Sequence, residues 1–140
     1  MRVGAVAAFA LCLAGNAHAQ PAVSDADRAA IREVVTAQIA AFRHDDAVAA
    51  FSFAAPNIKA RFGDAQHFLA MVRSVYPAVF RPRSFTFGSL TREASTLQQK
   101  VGLIGPDGAS ALALYSMEHE ADGTWRIAGC ALIKAPSREI

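Results

Sequence analysis

Between Ser24 and Arg43 the apolar residues Ile31, Val34, Val35, Ile39 and Phe42 fall at offsets 0, 3, 4, 8 and 11, the spacing of one helix face. Ser24 suits the N-cap of that helix, and Arg28, Arg32, Thr36 and Arg43 fall off the stripe, where water is expected. His44-Asp45-Asp46 breaks the pattern, and Asp46 caps a second helix predicted to carry Val48, Phe51 and Phe53 on its apolar side. Pro56 ends that helix and opens a short one over Asn57 to Phe62, which Gly63 closes. Asp64 then caps a longer helix with Phe68, Met71, Val72 and Val75 on one face, stopped by Pro77.

From Ser84 onward the period changes to two. Phe85 and Phe87 alternate with Thr86 and Gly88, and Leu97, Gln99, Val101 and Leu103 alternate with Gln98, Lys100 and Gly102, as in half-buried strands. Gly105-Pro106-Asp107-Gly108 predicts a turn into a third strand, Ala109 to His119. Ala121-Asp122-Gly123 predicts a turn into a fourth, Thr124 to Lys134. On that last strand, strict alternation places Trp125, Ile127, Gly129, Ala131 and Ile133 on one face. Helices first and an antiparallel meander second predict an α+β domain, with the helices on the concave face of a curved four-stranded sheet.

The N-terminus adds a location. Arg2 followed by the apolar run Val3 to Gly15 and by Ala17-His18-Ala19 has the form of a secretory signal peptide over residues 1–19, with the mature chain, residues 20–140, starting at Gln20. A periplasmic or secreted product is expected, in an oxidising compartment without ATP, which disfavours kinase-like and cytosolic redox functions. No second apolar run reaches membrane length, so no membrane is expected for the mature form.

Of 140 residues, 121 remain after the leader, enough for one domain; without Arg2 the formal charge falls from +2 to +1. Such a balance carries no nucleic-acid footprint. Cys12 leaves with the leader, so Cys130 has no disulfide partner and can form no cysteine-based metal site.

The run AFRHDDAVAAFSFAAPNIKARFGDAQHFLAMVRSVYPAVFRPRSFTFG, followed by LIGPDG and DGTWRIAGCALI, closely resembles the exported bacterial family known as domain of unknown function 4864. The likeness runs from Ile31 to Ile133 and rests on FAAP, FGD, VYPAVFRPR and WRIAGC in that order. The resemblance implies the cone-shaped fold of the nuclear transport factor 2-like (SnoaL-like) group, with a pocket between helices and sheet. That group spans isomerases, hydratases and non-catalytic binding or dimerisation modules, so fold alone does not assign an activity.

A steroid-isomerase mechanism needs a carboxylate base in an apolar pocket. Here every Asp of the mature chain has a simpler place: Asp25 and Asp27 in a first turn, Asp45 and Asp46 at a helix junction, Asp64 at a cap, Asp107 and Asp122 in turns. Glu118 and Glu120 lie at a strand end beside a turn and read as solvated. His44, His67 and His119 show no H-x-H or H-x-x-x-H spacing, so no metal and no cofactor is expected. His44 suits a helix C-terminus, and Cys130 reads as small core filler. No catalytic residue is assigned.

The segment VYPAVFRPR, Val75 to Arg83, is the most unusual in its chemistry. If it is extended, Arg81 and Arg83 point the same way and can clamp a carboxylate or phosphate; alternatively they pair with acids of their own protein across the helix–sheet seam. Tyr76 and Tyr115 bring hydroxyls to the same cavity or cap the core. Tyr76, Arg81, Arg83 and Tyr115 are therefore the expected ligand-binding set. The leading reading is non-catalytic binding of a small apolar or amphiphilic anionic ligand, or of a protein partner. The alternatives are a small isomerase or hydratase using His44 or Tyr76 with the two arginines, and a homodimeric structural module with a filled pocket.

Overall fold

The computed structural model describes residues 23–134; the leader expected at residues 1–19, its expected cleavage site and Cys12 lie outside the described residues. Five helices precede four strands: α1 (Asp25–Arg43), α2 (Ala47–Ser52), α3 (Pro56–Phe62), α4 (Ala65–Val75), α5 (Pro77–Phe80), β1 (Ser84–Glu93), β2 (Thr96–Ile104), β3 (Ser110–His119) and β4 (Trp125–Lys134). The sheet is antiparallel, open, and ordered β1-β2-β3-β4. This is the expected α+β arrangement.

The caps are those the sequence supplies. Ser24 accepts from the Asp27 amide at 3.1 Å, Asp46 from the Ala49 amide at 3.1 Å and Asp64 from the His67 amide at 2.9 Å, each satisfying an orphan N–H of a first turn. Gly63 closes α3 at φ 78°, left-handed backbone that favours glycine.

One face of the sheet carries the core. Leu97, Val101 and Leu103 of β2, Ala113, Tyr115 and Met117 of β3, and Trp125 and Ile127 of β4 are buried against Ile31, Val35, Ile39 and Phe42 of α1. Phe68 of α4 is an aromatic hub, with ring centroids 6.0 Å from Phe42, 5.4 Å from Phe51 and 5.7 Å from Phe62. The Trp125 indole N–H donates to Asp27 Oδ1 at 3.2 Å and its ring stacks on His119 at 4.6 Å, tying β4 to the first turn of α1.

Four expectations are corrected. Val48 is 72% exposed, because α2 has only six residues and turns Ala47 and Ala50 inward. Val75 is 58% exposed because it ends α4 on the rim of a cavity. Pro77 does not simply stop α4: it opens the one-turn helix α5, which buries Val79 and Phe80.

The fourth concerns β4. Ser116 pairs with Gly129 but Met117 pairs with Ile127, leaving Ala128 as an extra residue, a β-bulge. The parity of β4 flips there. Cys130 and Leu132 pack on the core instead of Gly129, Ala131 and Ile133, and Ile133 is 49% exposed. Before the bulge, β4 is shielded at its outer edge: the Ala55 amide donates to the Ile127 carbonyl at 2.8 Å and the Ile127 amide to the Phe53 carbonyl at 2.9 Å.

A second register shift lies between Phe87 and Leu90 of β1. Buried Gln99 serves it, its Nε2 donating to the Lys100 carbonyl at 2.8 Å and the Gly88 carbonyl at 3.1 Å.

Candidate functional site

Between α1, α3 and α4 on one side and β3 and β4 on the other lies a cavity of about 460 Å³, within the size range of small-molecule sites. Its apolar walls include Phe42, Phe68, Val72, Val79 and Ile127. Six side chains that can donate a hydrogen bond share the lining: Gln38, Asn57, Arg61, Tyr76, Tyr115 and Cys130. Asp, Glu and His do not contribute to it.

Local geometry decides what each polar group can do. Gln38 is buried on α1, and its Nε2 donates to the Ala50 carbonyl at 3.1 Å, across to α2. Asn57, in the first turn of α3, donates to the carbonyl of Ala128 at 3.1 Å, so the bulge of β4 is held from the helix side. Arg61 lies exposed on α3 with its guanidinium 5.6 Å from the Phe62 ring centroid. Tyr76 is half-buried where α4 gives way to α5.

Tyr115 and Cys130 come from paired strands and are register partners. Both are buried enough for desolvation to disfavour their anions: the phenol is raised well above its usual value of 10.0, and burial pushes the thiol up to about 12. Tyr115 is 1% exposed, and its hydroxyl has no hydrogen-bond partner in the protein. Across the described residues the other such buried orphan is Oε1 of Glu120, on a smaller hollow formed with Lys59, Asp122 and Arg126.

Of the four expected ligand-binding residues, Tyr76 and Tyr115 reach the cavity and Arg81 and Arg83 are not part of its lining. Beyond the end of α5, the two arginines serve different partners. Arg81 Nη2 bonds Asp45 Oδ1 at 2.7 Å, pinning α5 to the α1–α2 junction. Arg83 Nε donates to the Pro106 carbonyl at 3.1 Å, holding the start of β1 to the β2–β3 turn. Arg61 is the cation that the sequence reading missed. Its spacing in α3 follows Asn57 by one helical turn, but only the contact between α3 and β4 shows that this face is the one at the cavity.

The histidines stand elsewhere. His44 caps the C-terminus of α1, exposed; His67 pairs with Asp64 at 2.8 Å on the surface; His119 stacks on Trp125. Among the described residues there is no cluster of three His, Cys, Asp or Glu side chains that could hold a metal, and no helix long and apolar enough to cross a membrane.

No curated protein matches the chain. Among solved structures, it is similar to an NTF-2-like protein of unknown function from Burkholderia xenovorans LB400, at 17% identity and a TM-score of 0.48, over 81% of this chain and 88% of that one. The model of the family described as domain of unknown function, DUF4864, matches residues 24–140, nearly all of the sequence after the leader-like segment, and the chain belongs to that family.

Proposed function

We propose that this domain, in an exported protein, is a non-catalytic binder of a small amphiphilic anion. The apolar body lies between the helices and the sheet, and the anionic head lies at the rim beside Arg61. The observation that carries this reading is the cavity itself. Its volume of about 460 Å³ has room for roughly 15 water-sized groups at about 30 Å³ each, and its walls are mainly aromatic and aliphatic. Burial of a ligand's methylenes there is favourable by about 0.8 kcal/mol each. A carboxylate or imidazole base is missing from the lining, and the one thiol there stays protonated at neutral pH. These features favour binding over the isomerase or hydratase alternative.

Thermal unfolding of the purified 20–140 protein with medium-chain fatty acids and aromatic carboxylates tests the reading. A ligand at about 100 times its Kd adds about 2.7 kcal/mol of stability and raises the unfolding temperature. If none of these carboxylates shifts the transition at saturating concentration, the reading fails.

A further inference from the structure

We propose that the bound molecule carries an uncharged hydrogen-bond acceptor, a ketone or ester carbonyl, at its buried end, and that the Tyr115 hydroxyl donates to it while the carboxylate stays at the Arg61 rim. This deepens the binding reading above and rests on it.

Native interiors leave few buried polar groups unpaired, because each unmet group costs its desolvation. The two buried glutamines obey this rule. Gln38 is committed to the Ala50 carbonyl and Gln99 to those of Lys100 and Gly88. Tyr115 breaks it: its hydroxyl is buried and unpaired, on a residue that lines the cavity. A phenol in such surroundings remains protonated, so it offers an O–H to whatever reaches it.

The surroundings also select the partner. An anion placed against buried Tyr115 would lose its water, and the cation of the lining, Arg61, is exposed on α3. An alcohol would bring a donor of its own, which needs a further acceptor. A carbonyl brings acceptors alone, and its second lone pair suits the weak S–H donor of Cys130, the register partner of Tyr115. The ligand is thus bipolar: a charged end in water, an apolar middle, and a neutral carbonyl inside.

The test is calorimetric titration of the wild-type protein and Tyr115→Phe with decanoate and with the same acid carrying a methyl ketone at its far end. Wild type should prefer the keto acid by about fivefold. The variant should lose or invert that preference, because the ketone then lacks its donor and the plain chain meets an apolar wall. Equal binding of the two acids to wild type, or a preference that Tyr115→Phe leaves unchanged, overturns the proposal and leaves the amphiphile reading standing. If neither acid binds, both fall. Should the variant not fold, the infrared carbonyl stretch of the keto acid bound to wild type decides. A shift below its frequency in hexane supports the bond to Tyr115, and a hexane-like frequency overturns it.

Discussion

Tyr115 and Cys130 sit opposite one another across β3 and β4, both on the cavity wall and both held in their neutral forms by burial. Both are therefore donors that do not ionise at neutral pH, and their chemistry can be read in two separate measurements.

Cys130 should be a slow nucleophile. With its thiol at about 12 rather than 9.0, the thiolate fraction near neutrality is about a thousandfold lower in the folded protein. Iodoacetamide labelling followed by mass spectrometry should show native Cys130 reacting at least about a hundredfold more slowly than in urea. Comparable rates would place the thiol in water.

Alkali should destabilise the fold. Tyr115 and Cys130 both have folded values raised above their ordinary ones of 10.0 and 9.0. The unfolded chain releases these protons first, so their contribution is fully present below about pH 9 and is lost as pH rises beyond it. Urea titrations from pH 8 to 11 should show stability falling. Tyr115→Phe should remove part of the fall and, by deleting the unpaired hydroxyl, raise neutral-pH stability by about 1 kcal/mol. A loss of stability at neutral pH would mean that the hydroxyl has a partner.

Two arginines separate binding from folding. Arg61→Ala should weaken an anionic ligand by about 0.5 to 1 kcal/mol, with less effect at high salt, and leave the unfolding midpoint nearly unchanged. Arg81→Ala breaks a half-exposed pair with Asp45 and should cost no more than about 1 kcal/mol of stability while ligand affinity stays as in wild type. The reverse pattern would return the site to the Arg81–Arg83 segment.

Trp125→Ala should cost about 3 to 5 kcal/mol in chemical denaturation, since it empties the core position of a side chain only 9% exposed and removes the bond to Asp27. A change under about 1 kcal/mol would show that β4 does not depend on this anchor.

The order of elements was legible because its punctuation is local. Ser24, Asp46 and Asp64 cap helices, Pro56 opens one and Gly63 closes it, each by an interaction within about one turn. Burial in short elements was less legible: nothing near Val48 tells a six-residue helix which way to face. Nor does the stretch Ile127-Ala128-Gly129 announce a bulge, because the extra residue is defined by its partner strand, with Ser116 and Met117 fixing it from β3. Tyr76 and Tyr115 could be named from their own positions as facing a cavity or capping the core, and both residues line the cavity, whereas Arg61 depended on how α3 lies against β4. The proposed clamp assumed that Arg81 and Arg83 turn toward one ligand, whereas the fold gives each a partner of its own, Asp45 and the Pro106 carbonyl, on separate elements.

The single extra residue at Ala128 works on the cavity as a reading frame works on a message. Upstream of it, Trp125 and Ile127 face the helices; downstream, the inward set becomes Cys130 and Leu132. Deleting that extra residue would leave Cys130 opposite Tyr115 and the inward set unchanged, whereas pairing Ala128 with Ser116 would turn Gly129, Ala131 and Ile133 inward and replace a polarisable thiol beside Tyr115 with small or aliphatic groups. The lining beyond the bulge is therefore set by which residue of β4 is left unpaired, so a slip of one strand against its neighbour can change what the cavity presents to a ligand without any substitution in the lining itself.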